Sequence, residues 1–470
     1  MNFQRKTVID GITLALASGG LLVASGVQAE KSTMLEEVSV TADKRLEKLQ
    51  NVPVSVTAFS ADGIVDAGIE NTQDFIDLTP NVTLDDSYTV GNTFVTIRGV
   101  SQINNADSPI AIVVDGIPQN NQKQLKQELF DIERIEVLRG PQGAGYGRNA
   151  IGGAINIITK GPTNETEGYV KTGVYNGSGK TVSGAVGGPL VENVLLYRLA
   201  GNYRESDGLI DNEFLNQKVD DHEANNLRAQ LRWLATDDFS MDIVYATSNM
   251  EGGSIYDTSF SDNAARNANT FINPSFDTPG RSERNTSDFH LKADLEFDAG
   301  TLSYMFGYND LEEDYFGDAD WTYLQSPLWD QPHIQAKNVA RTWTQAQDLD
   351  VELTSHELRW TSAYGERFRW IAGGFHQETN RTLDFFVTQG PQTFLDSVND
   401  NENKAWAVFG QAEYDLTDQL EVSGSIRYDR DKRHQVSSGK KETFDAWQPK
   451  ATLTYAFTDN NLGLFKKICG

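Results

Sequence analysis

Long stretches in which every second side chain is apolar fill the chain from about residue 166 onward. Successive side chains of a β-strand point to opposite faces, so this period of two predicts strands with one apolar and one polar face. Each stretch covers roughly 9 to 13 residues, close to the 9–11 that a tilted strand needs to cross a bilayer. The clearest apolar series are Leu227, Ala229, Leu231 and Trp233; Phe289, Leu291, Ala293, Leu295 and Phe297; Leu302, Tyr304, Phe306 and Tyr308; and Leu420, Val422, Gly424, Ile426 and Tyr428.

A soluble β-sandwich also alternates, so the choice depends on which face of the strands is inside. Sandwich strands average about five or six residues, roughly half the length seen here. Connections alternate between tight turns at Thr236–Asp237 and Thr417–Asp418 and long irregular segments at Glu251–Ser287 and Asp310–Arg341. These features favour a transmembrane β-barrel with about a dozen antiparallel strands between residues 163 and 460.

The first 29 residues are predicted to be a secretory signal peptide. Arg5 and Lys6 precede an apolar stretch from Ile12 to Ala24, and Val27–Ala29 has the small side chains that a signal peptidase recognises. The 470-residue chain carries 40 Lys and Arg against 67 Asp and Glu, and its formal charge of −27 argues against binding to nucleic acid. An exported, acidic chain with amphipathic strands is expected in the bacterial outer membrane.

Residues 51–162 lack the alternation and are predicted to form a small α/β globule that fills the barrel lumen as a plug. Asn71 is expected to cap a helix that runs through Leu78. The apolar runs Ile110–Val114 and Ile132–Leu138 predict buried strands. The predicted fold class is therefore mainly β, with an N-terminal α/β plug domain followed by a partial antiparallel transmembrane β-barrel.

Several motifs resemble those of TonB-dependent outer-membrane receptors. They are Asn51–Val56 (NVPVSV), Ile97–Val100 (IRGV), Val113–Ile117 (VVDGI) and Ile132–Thr159 (IERIEVLRGPQGAGYGRNAIGGAINIIT). The resemblance covers the chain from about residue 35 to 460. It implies a plug inside a barrel of roughly 22 strands, of which this sequence holds about 12.

Residues 30–50 precede the plug, and Leu35–Ala42 within them resembles the TonB box. The resemblance implies that this segment binds TonB, which works with ExbB and ExbD, through Glu37, Val38, Ser39, Val40, Thr41 and Ala42. An extended segment can add a strand to a partner's exposed sheet edge, where backbone hydrogen bonds supply affinity. Taken alone, the same residues are also typical of an ordinary strand.

Arg98 and Arg139 are the charged residues that the resemblance assigns to a lock between plug and barrel. Glu357 and Glu413, on polar positions of predicted strands, are the candidate partners. Arginine forms bidentate bonds to carboxylates that lysine cannot form. The alternative stays open that both arginines bind carbonyl groups within the plug.

Two plug loops, Asp85–Thr93 and Ser101–Ser108, are expected to face the ligand. Their candidate contact residues are Asp86, Tyr88, Asn104, Asn105 and Asp107. The stretch Asp310–Asp330 is acidic and aromatic without Lys or Arg. It suits a cationic or aromatic ligand, or divalent ions bridging to lipopolysaccharide at the lipid surface, or it is a solvated acidic loop.

The sequence offers no catalytic or metal-binding constellation, and we predict no enzyme activity, no cofactor and no metal site. The six His are scattered without metal-ligand spacing. The glycine-rich run from Arg139 to Gly153 leads into the strand Ala154–Thr159 and not into a helix. Close packing of the plug on the barrel therefore explains the glycines better than a nucleotide loop.

The leading functional hypothesis is a receptor that takes up a scarce nutrient, an iron–siderophore complex first of all, with energy supplied through TonB. Two alternatives stay open: a passive porin or surface-binding protein, and a non-functional truncated receptor. Strand-like alternation stops at Phe457, and residues 461–470 contain the only Cys and no final aromatic. We therefore expect an atypical tail and a sheet that this chain alone leaves open.

Overall fold

The computed structural model describes residues 39–41, 44–45, 47–49, 52–87, 89, 92–103, 105–119, 121–257, 273–320, 343–363, 365–456 and 463–469. For residues 122, 456 and 463–469 only the backbone is described. The predicted signal peptide lies outside the described residues, as do five predicted site residues: Glu37, Val38, Ala42, Tyr88 and Asn104.

The N-terminal body is built from short strands and helices. Its strands are β1 (Ser39–Val40), β2 (Glu47–Lys48), β3 (Ser55–Ser60), β4 (Val82–Asp86), β5 (Thr93–Ile97), β6 (Val100–Ser101), β7 (Ile110–Val114), β8 (Ile117–Gln119), β9 (Ile132–Arg139) and β10 (Gly153–Thr159). Its helices are α1 (Ala61–Asp66), α2 (Thr72–Asp77) and α3 (Gly143–Tyr146), with a 3₁₀ turn at Gln122–Gln124.

This body is the predicted α/β plug. Its main sheet has five strands in the order β3-β9-β10-β7-β8, with β7 and β10 parallel, and β4, β5 and β6 form a second sheet. Phe75, Ile112, Ile135 and Ile155 are buried in one apolar core between these elements. The Asn71 side chain accepts hydrogen bonds from the start of α2 in a capping box, which confirms the predicted helix start.

The remaining strands form a second, much larger body. They are β11 (Glu167–Tyr175), β12 (Gly179–Val191), β13 (Leu195–Ser206), β14 (Asp211–Asn212), β15 (Gln217–Lys218), β16 (His222–Thr236), β17 (Phe239–Gly252), β18 (Arg281–Phe297), β19 (Gly300–Asp318), β20 (Trp343–Ser362), β21 (Phe368–Gln389), β22 (Gln392–Thr417), β23 (Leu420–Gln435), β24 (Lys440–Ala456) and β25 (Gly463–Cys469). Apart from the small hairpin β14-β15, they form one 13-stranded antiparallel sheet in chain order.

The two faces of the large sheet differ in the way that separates a membrane barrel from a sandwich. On β16, Leu231 and Trp233 are 41% and 43% exposed, whereas Arg228 and Gln230 on the opposite face are 7% and 5% exposed. The apolar face therefore points outward and the polar face packs on the plug. A sandwich would bury the apolar face instead. The predicted fold class is confirmed.

Several strands run further than the alternation predicts. β19 continues to Asp318 and β18 starts at Arg281, so both enter segments that were predicted to be irregular. Along β19 the outward side chains change from apolar to acidic after Tyr308, while inward Leu311 and Tyr315 stay buried. Beyond the apolar band the outward face is polar, and the apolar residues move to the inward face. The alternation of apolar and polar side chains is therefore reversed in the last part of β19. A search for apolar outward side chains stops at Tyr308 and misses the rest of the strand.

The C-terminal tail also contains a strand that the sequence does not predict. β25 pairs antiparallel with β24, from Ala456↔Gly463 to Lys450↔Cys469. Strand pairing uses backbone N–H and C=O groups, which every residue except proline supplies, so it does not require alternating side chains.

Candidate functional site at the interface of plug and sheet

Asp131, directly before β9, is the buried centre of the contact between the plug and the sheet. Arg198 of β13 donates from Nε and Nη2 to the two Asp131 carboxylate oxygens at 2.6 and 2.5 Å. Arg228 of β16 donates to the Asp131 carbonyl oxygen at 2.8 Å and lies 3.4 Å from its carboxylate. The Asp131 side chain is 0% exposed, so this bidentate pair is shielded from solvent screening.

The plug segment before Asp131 is held by two further strands. Lys123 pairs with Glu313 of β19, and both side chains are almost fully buried. Arg284 of β18 donates to the carbonyl oxygens of Lys123 and Lys126, at 2.8 Å in the second case. These contacts and those of Asp131 form what we call the clamp: plug residues 123–131 held by arginines and a glutamate on four strands.

Glu128 within the clamp is a buried carboxyl beside an arginine. Arg204 of β13 lies 3.7 Å from Glu128 and 3.4 Å from Glu70, and Lys171 binds Glu70 at 2.7 Å. Burial raises the pKa of Glu128 to about 7, although Arg204 and Lys126 oppose the rise and Glu70 and Asp74 add to it. The plug therefore carries one clamp carboxyl that titrates near neutral pH.

The described part of the N-terminal segment is docked on both bodies. Val40 is 0% exposed, and the backbone N–H of Thr41 donates to Glu136 Oε1 at 2.8 Å. Lys44 Nζ donates to both carboxylate oxygens of Glu357 on β20, at 2.9 and 2.7 Å. The segment with the predicted TonB-box residues Ser39, Val40 and Thr41 is thus connected to the plug and to the sheet.

A cavity of about 470 Å³ lies between plug and sheet, and we call it the inner chamber. Its wall includes Thr41 and Lys44 of the N-terminal segment. Arg232 and Arg359 also line it, close to the short turns that follow β16 and β20. A smaller cavity of about 90 Å³ adjoins it further along the same strands. The two cavities share the wall residues Asp115, Gln119, Thr159, Val244 and His290.

The structure does not bring the predicted lock residues together. Glu357 binds Lys44, and Glu413 binds Arg369 at 3.1 Å. Arg139 donates to the Pro80 carbonyl oxygen at 3.0 Å, which is the alternative that the sequence left open for it. Partial burial lowers the pKa of Arg139, and the nearby positive charge of Arg98 lowers it further.

The physical reason for this correction is that the carboxylates already have cationic partners of their own. Glu357 also accepts from Arg359 at 3.0 Å, and Arg369 binds Asp415 and Glu421 in addition to Glu413. The observed contacts between plug and sheet have both polarities. In the clamp a plug aspartate is held by sheet arginines, which is the opposite of the prediction, whereas a plug lysine is held by a sheet glutamate, which is the predicted polarity on other residues.

The described residues of the predicted ligand-facing loops make contacts within the protein. Asp86 binds Lys126 at 2.8 Å, and its side chain is 57% exposed. Asn105 Nδ2 donates to Gln347 Oε1 on β20 at 2.8 Å. Asp107 lies 3.2 Å from Arg148 and 2.8 Å from Arg433 of β23. Both Asn105 and Asp107 therefore join the plug loop to the sheet.

The glycine-rich run packs closely on the sheet, as the sequence predicts. A Cβ atom at Gly143 would collide with the side chain of Gln448 on β24. Gly147 has φ +73°, and a Cβ atom there would lie 2.5 Å from Arg427 Nη2 on β23. These glycines allow α3 to approach the strands, and no phosphate site is needed to explain them.

Sequence reasoning missed the clamp, although two signals for it were present. Arg228 lies on the polar face of a clearly alternating stretch, and Arg198 and Arg284 occupy the same face of their strands. Asp131 directly precedes the long plug motif. Charged residues on the inward face of a barrel strand must meet either water or the plug, and their partners are not defined by sequence spacing.

In the part of the chain that the structure describes, no helix is long and apolar enough to cross a membrane. Across the same ranges, no group of three or more His, Cys, Asp or Glu side chains is placed to hold a metal ion.

Comparison with known proteins agrees with this architecture. The sequence model of the TonB-dependent Receptor Plug Domain matches residues 48–154, and that of the TonB dependent receptor-like beta-barrel matches residues 228–465. The pesticin receptor of Yersinia enterocolitica is 26% identical over 434 residues, which cover 89% of this chain and 59% of the receptor. The probable TonB-dependent siderophore receptor PirA of Acinetobacter baumannii is 31% identical over 255 residues, or 47% of this chain and 32% of PirA.

Among solved structures, the ferric yersiniabactin uptake receptor FyuA from Yersinia pestis superposes with a TM-score of 0.76 at 20% identity. The superposition covers 87% of this chain and 63% of FyuA. The chain thus spans about 60% of the length of the pesticin receptor and of FyuA. The plug motifs, the polar inward face of the sheet and both family matches lead to one conclusion: the chain belongs to the TonB-dependent receptors, a family of bacterial outer-membrane proteins rather than enzymes.

Proposed function

We propose that the protein is an outer-membrane receptor that binds a ferric siderophore at the cell surface and imports it with energy supplied through TonB. PirA is described as a probable TonB-dependent siderophore receptor, and FyuA as a ferric yersiniabactin uptake receptor. Family membership supports a TonB-dependent mechanism, with ExbB and ExbD as the further partners of TonB. Outer-membrane lipid and lipopolysaccharide would surround the apolar face of the sheet.

The observation that carries the proposal is that one short segment contacts both the plug and the sheet. Ser39–Thr41 belong to the predicted TonB box, and Lys44 follows three residues later. Thr41 binds the plug through Glu136, and Lys44 binds the sheet through Glu357. A pulling force on this segment would act on both contacts at once. A passive porin needs no such connection between an N-terminal segment, the plug and the sheet.

A proline at Val40 tests this proposal. Val40 pairs with Glu47 in the β1-β2 ladder, and proline would remove its backbone donor. We expect Val40→Pro to stop energised uptake of ferric siderophore while binding at the cell surface is kept. Val40→Ala keeps the donor and is the matched control. Uptake that continues in Val40→Pro would contradict the assignment of this segment.

A passive porin would differ in a second measurement. Because the clamp holds the plug against the polar face of the sheet, liposomes that contain the protein should show little ion conductance without TonB. Steady conductance of the unmodified protein would support the porin alternative instead.

A further inference from the structure

Positive charge collects at one wall of the inner chamber. Lys44 and Arg359 both bind Glu357, and Arg427 on β23 binds Asp429 at 2.9 Å. The three cations of this wall therefore share two carboxylates, of which only Glu357 lines the chamber. In the whole chain the acidic residues outnumber the basic ones 67 to 40, so a local cationic excess is unusual for this protein.

The pKa of Lys44 is lowered first by burial and then by its cationic neighbours. Burial lowers the pKa of Lys44 to about 8, and the neighbouring Arg359 and Arg427 act in the same direction against the attraction of Glu357. Lys44 Nζ also lies 4.6 Å from the centre of the Phe409 ring. A further anion at this wall would stabilise the charged lysine.

His290 gives an independent sign that the chamber accepts a polar molecule. It lies on β18 in the wall shared by the two cavities and is 6% exposed. Neither of its ring nitrogens has a hydrogen-bond partner among the described residues, and the Nε atom of Arg359 in the same chamber is also without one. Buried polar atoms without partners are costly, so these atoms are ready to bind a ligand or water.

We propose that the inner chamber is a second binding site, distinct from the plug loops predicted to face the ligand, for a small molecule that carries several anionic oxygens. The site would hold the imported ligand, or its anionic part, between release from the outer loops and exit. The Lys44–Arg359–Arg427 wall would bind the anionic oxygens, and His290 would bind at the neck. A volume of about 470 Å³ is within the range of small-molecule sites.

This inference rests on the proposed function, and it adds a role for the N-terminal segment. Lys44 belongs to that segment and also forms part of the chamber wall. Withdrawal of the segment would remove one cation from the site and open the wall at the same time. The two events together would weaken retention of an anion at the moment of exit.

Binding of tricarballylate to the purified full chain in detergent micelles tests the proposal. Tricarballylate has three carboxylates, and its uncharged trimethyl ester is the matched control ligand. Isothermal titration calorimetry should show binding of the acid but not of the ester. Arg359→Gln should weaken this binding at least tenfold, because Glu357 keeps Lys44 as its partner while the site loses a cation.

Arg281→Gln is the control variant, since Arg281 pairs with Glu251 outside the chamber and is not part of its wall. If Arg359→Gln does not fold, Lys44→Gln makes the same test. Absence of tricarballylate binding, or equal binding in wild type and both chamber variants, would overturn the inference. The proposed function would fail separately, if the wild-type chain bound tricarballylate but did not bind a ferric siderophore.

Discussion

Asp131→Asn should release the plug from the clamp without changing the shape of the site. Asp131 has φ +55°, and asparagine tolerates this left-handed conformation as well as aspartate does. The Asp131 carbonyl oxygen still accepts from the N–H of Lys160 in the variant. Only the negative charge is lost, and the buried guanidinium groups of Arg198 and Arg228 remain.

The expected cost follows from the burial of the pair. The side chains of Asp131 and Arg198 are 0% and 3% exposed. Removing one partner of such a pair typically costs about 3–5 kcal/mol, since the other charge stays buried. A tenfold change in an equilibrium constant is about 1.4 kcal/mol, so local opening of the plug should become roughly 100- to several-thousand-fold more frequent.

Hydrogen exchange of the β9 amides in detergent micelles measures this opening. Exchange in Asp131→Asn should accelerate by that factor in β9, while exchange in the centre of the large sheet stays unchanged. Glu251→Gln is the control, because the Arg281–Glu251 pair is short at 2.5 Å but 57% and 39% exposed. An exposed pair contributes at most about 1 kcal/mol. Equal and small effects of both substitutions would refute the clamp as the anchor of the plug.

Three further predictions concern single charges. Glu128 has a folded-state pKa of about 7 against an ordinary 4.5, so its contribution to stability is largest at low pH and declines as pH rises from about 4.5 to about 7. Glu128→Gln should therefore raise the melting temperature relative to wild type at pH 8 but not at pH 4, and an equal change at both pH values would contradict the shift. Glu312 lies directly opposite Asp350 on the outward face, so Glu312→Gln should stabilise the protein against urea by about 0.2–1 kcal/mol, less at high salt; destabilisation at every salt concentration would count against this repulsion. Arg139→Lys should change plug exchange by less than tenfold, because one hydrogen bond to Pro80 is at stake, and a larger effect would restore the arginine lock.

The sequence was sufficient to predict those features that depend on local chemistry. The two-residue period around Leu231 predicted both the strand and its apolar face, because outward side chains within the apolar band of a membrane barrel face lipid. The cap at Asn71 and the strand Ile110–Val114 followed from side-chain preferences over a few residues. These features need no knowledge of distant contacts.

The contacts between plug and sheet could not be predicted in this way. Asp131 and Arg198 are 67 residues apart, and Lys123 and Glu313 are 190 apart, so no spacing rule connects them. The family resemblance directed attention to arginines in the plug, whereas the clamp joins a plug aspartate to sheet arginines and a plug lysine to a sheet glutamate. The sequence showed the acidic stretch that begins at Asp310 but not that its first part belongs to β19, because the outward face changes from apolar to acidic after Tyr308.

Uptake of radiolabelled iron by cells tests the central claim most directly. The chain and its Val40→Pro variant would be expressed in a strain without siderophore receptors of its own, with and without TonB, and supplied with ferric yersiniabactin. The account predicts that both forms bind the complex at the surface and that only the unmodified chain, in the presence of TonB, accumulates iron. Accumulation that persists without TonB, or a chain that binds no ferric siderophore, would contradict it.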